Sequence, residues 1–215
     1  MSAVAKRNRR ERAAAHARED ILDAAASVFA KKGYAAAGVQ EIAAEAGFGA
    51  ASLYSYFKGK RAIWDALLDV VTHGILELFE RPLPAGLSLE QRLEFILLEQ
   101  LSWIDQHRTQ IVAVMTPPPA EVGDDEKDPP PDFTALSTGY FASACAEYPD
   151  HPALADMAPE EAGYVLWGLV QGYFARWIAQ GDTSQPLSAQ AGKIVRVFCH
   201  GAIGARAVEA GVAST

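Results

Sequence analysis

Residues 39–60 read VQEIAAEAGFGAASLYSYFKGK, and this stretch decides the fold. The first apolar residues recur at intervals of three and four, which predicts a short helix: Val39, Ile42, Ala43 and Ala46. Gly47 then interrupts the pattern, and residues 50–56 predict a second short helix. Two short helices joined by a glycine-containing turn of three or four residues are typical of a helix-turn-helix, whose second helix enters the major groove of DNA.

The small and apolar residues of this stretch fit that geometry. Ala43 lets the two helices cross closely, and Gly47 permits a positive φ in the turn. Phe48 and Leu53 bury the second helix against the first. The preceding segment, residues 16–32, carries one apolar stripe at helical spacing and predicts a longer helix that Gly33 ends.

Charge is distributed unevenly along a chain whose net charge is −8. Residues 1–61 contain 11 Lys/Arg and 6 Asp/Glu, whereas the remainder contains 8 Lys/Arg and 21 Asp/Glu. Such asymmetry favours one segment that meets a polyanion and another that remains soluble. Residues 1–15 form a basic arm, in which Arg9 and Arg10 are expected to contact DNA; a solvated tail is the alternative.

A more specific resemblance covers residues 21–67. The segments ILDAAASVFAKKGY, VQEIAAEAG, SLYSYFKGK and IWDALL follow one another in a single register, and together they resemble the DNA-binding domain of the TetR/AcrR family of transcriptional regulators. The resemblance implies an all-α protein with an N-terminal three-helix helix-turn-helix domain and a larger helical domain for ligand binding and dimerisation. The expected boundaries are 1–15 for the arm, 16–61 for the DNA-binding domain and 62–215 for the rest.

The resemblance also implies that Tyr54, Tyr56 and Lys60 face DNA, mostly as phosphate contacts. The family usually has Thr-Ser or Thr-Thr where this chain has Ala37 and Gly38, so backbone N–H groups at the helix start must replace those hydroxyls. The recognition helix is poor in long polar side chains, which shifts specificity toward thymine methyls and DNA shape. The complete set of expected DNA contacts is Arg9, Arg10, Gly38, Val39, Gln40, Ala50, Ala51, Ser52, Tyr54, Tyr56 and Lys60.

Beyond residue 67 the periodicity predicts further helices. A linking helix is expected over 61–79, and a helix from Ser88 to about residue 107 begins with Gln91 at the capping-box position. A short helix is expected over 110–115, and the proline-rich acidic residues 117–131 predict a mobile surface loop. Two long helices are expected over 159–180 and 187–210. The first is apolar nearly all round, which predicts burial on every face, one side in its own domain and another against a partner.

By resemblance, the last two helices pair with those of a second copy in a four-helix bundle, and an effector binds among the middle helices. The residues expected at the homodimer interface are Trp177, Ile194, Val195, Phe198, Ala202 and Ile203. The residues expected to line the pocket for a moderately hydrophobic small molecule are Trp103, His107, Met115, Phe133, Tyr140, Phe141, Tyr164, Trp167 and Gln171. For each aromatic residue, packing in the core is the alternative.

The favoured function is therefore a cytoplasmic repressor that binds a palindromic operator in double-stranded DNA and responds to a small molecule. Ligand would shift the position of the linking helix, and either release or promotion of DNA binding is compatible with the sequence. An enzyme is not expected, because phosphate-binding, nucleophile-elbow and metal motifs are lacking; no metal or cofactor is predicted. No apolar stretch is long enough to span a membrane, and the two cysteines read as small buried hydrophobes. The alternative is a helical small-molecule-binding protein whose helix-turn-helix no longer binds DNA.

Overall fold

A computed structural model describes residues 3–115, 118, 131–181 and 185–212, and within these ranges all regular structure is helical. The all-α prediction is confirmed. The helices are α1 Ala3–Ala36, α2 Val39–Glu45, α3 Ala50–Leu53, α4 Lys60–Phe79, α5 Leu89–Gln106, α6 Arg108–Val114, α7 Phe133–Ala146, α8 Pro159–Gln180 and α9 Ala191–Val212. Single 3₁₀ turns occupy Pro152–Leu154 and Leu187–Gln190. None of the helices in the described ranges is both long and apolar enough to cross a bilayer.

The chain forms two compact units. The first comprises Met1–Gly74 and His107–Asp128, and the second comprises Ile75–Gln106 and Pro129–Thr215. The chain passes from one unit to the other inside α4 and again between α5 and α6. The domain boundaries expected from the sequence remain a prediction. The loop expected over residues 117–131 lies, apart from Pro118 and Pro131, outside the described residues.

Helix α1 starts thirteen residues before the predicted position. Three consecutive alanines follow Arg12, and alanine is the strongest helix former, so the helix extends through the basic arm. Arg7 and Glu11 add an ion pair one turn apart, at 3.5 Å. Gly33 ends the regular part of the helix with φ 74°, as the sequence predicted.

The core of the first unit gathers one apolar face from each of its helices. Its members include Ile21 and Phe29 of α1 and, from the other helices, Ile42, Leu53, Ile63, Leu67 and Ala113, all almost fully buried. Ala113 belongs to α6, which packs against α1. Helices α1, α2 and α3 therefore share their core with α4 and α6.

The core of the second unit is formed by α5, α7, α8 and α9. Its fully buried side chains include Leu93, Leu97, Phe141, Leu166 and Ile194. The predicted capping box at the start of α5 is confirmed: Ser88 N donates to Gln91 Oε1 at 3.0 Å, and Gln91 N donates to Ser88 Oγ at 3.3 Å. Cys145 is buried in this core, and burial raises the pKa of its thiol to about 11.

Helix α7 was not predicted by the periodicity. Its sequence, FTALSTGYFASACA, mixes five Ser, Thr and Gly residues, which are weak helix formers, with four alanines, which are strong ones. The helix forms because the Asp132 carboxylate accepts a hydrogen bond from Ala135 N at 3.0 Å and because Phe141 is fully buried. The hydroxyl of the buried Thr138 donates to Thr134 O at 2.8 Å, so its burial leaves no donor unsatisfied.

Helix α8 has the predicted bounds, and one of its sides packs in the core of this chain as expected; that a partner covers the other side stays a prediction. Leu166, Val170 and Trp177 lie in the core, whereas Tyr164 and Val165 are 61% and 43% exposed. The apolar residues of α8 therefore divide between the core of this chain and a surface.

Four residues expected at the dimer interface lie in the core of a single chain, namely Trp177, Ile194, Val195 and Phe198. Trp177 belongs to α8, and the stripe formed by the other three on α9 packs against α5 and α8 of the same chain. The side chains of Ala202 and Ile203 lie outside the described residues. The start of the last helix also differs, because residues 187–190 form a 3₁₀ turn held by Asp105. That carboxylate accepts from Leu187 N at 2.7 Å and from Ser188 N at 2.9 Å.

Gly163 provides a test of how α7 packs on α8. A Cβ at this position would lie 2.3 Å from the carbonyl oxygen of Thr138, so Gly163→Ala should lower the free energy of unfolding by about 1–3 kcal/mol. Gly139→Ala on α7 is the matched control: its Cβ meets nothing within 4 Å, and it should raise stability by up to about 1 kcal/mol. Chemical denaturation of both variants measures the difference, and equal effects would contradict this packing.

Candidate nucleic-acid interface

The turn between α2 and α3 closes as a Schellman motif. Gly47 has φ 74° and donates to Ala44 O at 3.1 Å, while Phe48 N donates to Ala43 O at 2.8 Å. These two bonds satisfy the last carbonyls of α2 and turn the chain sharply. Gly47 therefore has the positive φ that the sequence predicted.

The second helix is shorter than expected, because α3 ends at Leu53 rather than at Tyr56. Beyond it the chain continues in tight turns, in which Tyr56 N and Phe57 N both donate to Leu53 O, at 2.9 and 3.0 Å. Ser55 Oγ donates to Ser52 O at 2.6 Å and competes with the backbone for this acceptor. Leu53 is fully buried and fixes the α3 segment against the core.

The outer surface of this segment is polar and small. Ala51, Ser52 and Ser55 are exposed, and Tyr54 is 51% exposed, which is unusual for an aromatic side chain. Gln40 is exposed on α2. Hydroxyl, phenol and amide groups of this kind donate to phosphate oxygens and base edges, so the surface has the chemistry of a DNA contact.

The remaining predicted contacts of the helix-turn-helix are half-buried. Gly38 is the N-cap of α2 and makes no side-chain cap bond, and Val39 and Ala50 follow at the two helix starts. Tyr56 packs edge-on against Phe48, with ring centroids 5.9 Å apart. Its ring therefore supports the turn as well as bordering the surface.

Lys60 is engaged by the backbone. Its ammonium donates to Tyr34 O at 2.8 Å, to Ala37 O at 3.0 Å and to Ala35 O at 3.3 Å. It also lies 4.4 Å from the centroid of the Tyr34 ring. Three N–H groups thus meet three carbonyls, and the start of α4 is tied to the turn between α1 and α2.

Arg18 of α1 contacts the segment that follows α3. Its Nη1 donates to Tyr56 O at 2.7 Å, and its guanidinium lies 4.2 Å above the Phe57 ring. This role of Arg18 was not predicted from the sequence. The signal that could have found it is its spacing, since Arg18 precedes Ile21 and Leu22 by one turn and so shares the face of their apolar stripe.

Arg9 and Arg10 lie on the exposed N-terminal part of α1, as part of a helix rather than an irregular arm. By contrast, two lysines near the end of α1 pair with glutamates of α2. Lys32 Nζ lies 2.5 Å from Glu41 Oε1, and Lys31 Nζ lies 3.9 Å from Glu45 Oε1. The exposed positive charge of α1 therefore resides mainly in its arginine-rich start.

The residues expected to line an effector pocket are dispersed. In the second unit, Phe141 is fully buried and Tyr140 packs on Phe79, while Tyr164 and Gln171 are exposed. Trp103, Phe133 and Trp167 are half-buried in the same unit. His107 and Met115 belong to the first unit, where His107 is the N-cap of α6 and Met115 is exposed. Their role in ligand binding stays a prediction.

Residues 21–67 match the family model described as bacterial regulatory proteins, tetR family. This segment of the chain is therefore similar to the N-terminal domain of TetR-family regulators. The matched segment begins in α1, contains α2 and α3 and ends in α4, so it coincides with the buried core and the exposed surface just described. The family consists of regulatory proteins rather than enzymes.

Solved structures of TetR-family regulators have the same fold. The regulator PfmR from Thermus thermophilus is 18% identical with a TM-score of 0.66, covering 85% of this chain and 98% of that one. FadR from Bacillus subtilis, solved in complex with stearoyl-CoA, is 17% identical with a TM-score of 0.62, covering 85% and 98%. SmeT, the repressor of the multidrug efflux pump SmeDEF of Stenotrophomonas maltophilia, is 17% identical with a TM-score of 0.58, covering 84% and 87%. No curated protein matches the sequence significantly.

The three carbonyl contacts of Lys60 predict that this TetR-type domain depends on the ammonium for stability. Lys60→Ala should lower the free energy of unfolding by about 1.5–3 kcal/mol, because two half-buried carbonyls, of Tyr34 and Ala37, lose a charged donor. Lys58→Ala, at an exposed position two residues earlier, should change it by less than about 0.5 kcal/mol. Thermal and denaturant unfolding measure both, and a Lys60→Ala variant as stable as the parent would refute the assignment.

Proposed function

We propose that this TetR-family chain is a cytoplasmic, homodimeric transcriptional repressor that binds a palindromic operator and is controlled by a small-molecule effector. The observation that carries the proposal is the α2–turn–α3 unit, whose inner side is buried while Ser52 and Tyr54 face outward. Two copies of such a unit in a symmetric dimer suit two half-sites about one helical turn apart.

The recognition surface supports weak direct readout and stronger backbone contact. Ser52, Tyr54 and Gln40 supply a hydroxyl, a phenol and an amide, and Ala51 supplies a methyl group that fits against thymine. None of these forms the bidentate pair with guanine that arginine provides. Operator choice then rests on a few such contacts together with the deformability of the DNA.

The exposed face of α8 supports a homodimer. Its residues are mostly small or apolar and recur at three- and four-residue intervals: Tyr164, Val165, Gly168, Gly172, Ala175 and Ala179. The glycines allow two helix backbones to approach closely, and apolar side chains as exposed as Tyr164 and Val165 are stabilised when a second copy covers them. This face replaces the core residues first expected at the interface.

Effector control requires a conformational change to pass between the units. The chain joins them inside α4 and between α5 and α6, and α6 packs on α1 within the first unit. A ligand that prefers one conformation of the second unit shifts the equilibrium by its difference in affinity for the two conformations. The fatty-acyl-CoA of FadR and the efflux-pump control of SmeT show that regulators of this fold serve different chemistries.

The decisive experiment titrates the purified protein with DNA fragments from the region upstream of its own gene, at two salt concentrations. Saturable binding to one palindromic fragment, weakened steeply by salt, is expected because phosphate contacts release counterions. Binding that is equally weak on every fragment and insensitive to salt would contradict the proposal and favour the helical binding protein without DNA affinity.

The basic start of α1 makes a second prediction in the same assay. The double variant Arg9→Gln/Arg10→Gln should weaken binding to all fragments and flatten the slope of log K against log salt by about two units. Arg81→Gln is the matched control, since Arg81 is paired with Glu99 in the second unit. Applied to Lys60→Ala, the same slope separates a phosphate contact, which flattens it by about one unit, from a positioning role, which leaves it unchanged.

Dimerisation through α8 is tested by placing a charge on its exposed face. Val165→Glu should weaken self-association by at least about tenfold, because a carboxylate would be buried without a partner. Leu98→Glu is the matched control, an equally exposed leucine (43%) on α5. Sedimentation velocity over a concentration series measures both; loss of the dimer in neither variant or in both would exclude α8 as the interface.

A further inference from the structure

A cleft of 520 Å³ lies at the end of α8, beside the start of α9. It is lined by Tyr173, Arg176, Trp177, Gln180, Gln185, Leu187, Gln190 and Lys193. None of these residues belongs to the effector pocket expected from the family resemblance. The cleft lies wholly within the second unit.

The charges of the second unit single out this cleft. The unit contains 14 Asp/Glu and only six Lys/Arg. Arg81 and Arg92 are paired with Glu99 and Glu147, and Arg196 has interactions of its own. The side chain of Arg206 lies outside the described residues.

The two remaining cations, Arg176 and Lys193, are exposed and pair with no carboxylate among the described residues, and both line the cleft. No acidic side chain in the described part of the chain lines it with them. Like charges that share a cleft repel each other, and Lys193 additionally lies in the first turn of α9, where the helix dipole disfavours a cation. An anion in the cleft relieves both effects.

The other lining residues indicate which chemical groups a ligand would carry besides its negative charge. Trp177 is buried and Tyr173 is half-buried, so each ring presents a limited part of its surface to the cleft. Gln185 and Gln190 bring two amides, which can donate to carboxylate oxygens, while Gln180 has an interaction of its own. Aromatic walls with a few convergent polar groups are typical of sites for small planar molecules.

We propose that this cleft is a binding site for a small aromatic carboxylate. Arg176 pairs with the carboxylate, Lys193 adds a second charge, and the aromatic ring of the ligand packs against Tyr173 and Trp177. The proposal concerns ligand binding alone and holds whether or not the chain represses transcription.

The test uses 2-naphthoate as the probe and the full-length protein without DNA, measured by isothermal titration calorimetry. Arg176→Gln and Lys193→Gln should each reduce affinity about tenfold, because each removes a charge-assisted interaction. Lys193→Arg should retain binding, since it keeps the charge. Arg81→Gln in the same unit should bind as the parent does.

The neutral analogue 2-naphthamide separates charge recognition from apolar adsorption. It should bind at least about tenfold more weakly than the carboxylate, and raised salt should weaken only the carboxylate. Both cations are exposed, so circular dichroism should show the glutamine variants folded. The proposal is overturned if 2-naphthoate does not bind, if the amide binds equally well, or if the folded glutamine variants bind as tightly as Arg81→Gln.

Discussion

The helix-turn-helix unit depends on the contacts that the ammonium of Lys60 makes with the backbone. The ammonium collects three carbonyls from the turn that joins α1 to α2, and it does so from the first residue of α4. Three helices, α1, α2 and α4, are thereby fixed at one point. The position of α3 follows, because the Schellman turn sets the direction of the chain after α2. Arg18 likewise binds a backbone carbonyl, that of Tyr56, in the segment that follows α3. Two cations of a basic segment thus set the shape of the domain.

Charge has separate tasks in the two units. In the first unit, lysines that pair with α2 or cap a turn are part of the architecture, and the arginines at the start of α1 remain open to a polyanion. In the acidic second unit the pattern reverses, because most cations are paired and the two without a carboxylate partner meet in one cleft. The net charge of −8 reveals neither the open arginines of α1 nor the two cations in the cleft.

The sequence predicted the features that are local and missed those that depend on distant packing. The helix-turn-helix, the stop at Gly33 and the capping box of Ser88 follow from spacing and backbone chemistry within a few residues. The stripe on α9 was correctly read as apolar, but whether it faces its own core or a second copy depends on the position of α5. For the same reason the inward role of Lys60 could not be separated from a phosphate contact, since both need a cation at the same position.

Helix α7 has a consequence for how the second unit responds to stress. Its Ser, Thr and Gly residues contribute little intrinsic helicity, so its order is supplied by the side of α8 that Gly163 leaves open to it. Because six of its fourteen residues are buried and it packs along α8, we expect α7 to open only when those contacts are lost, so that its amide protons exchange with solvent together with those of α8.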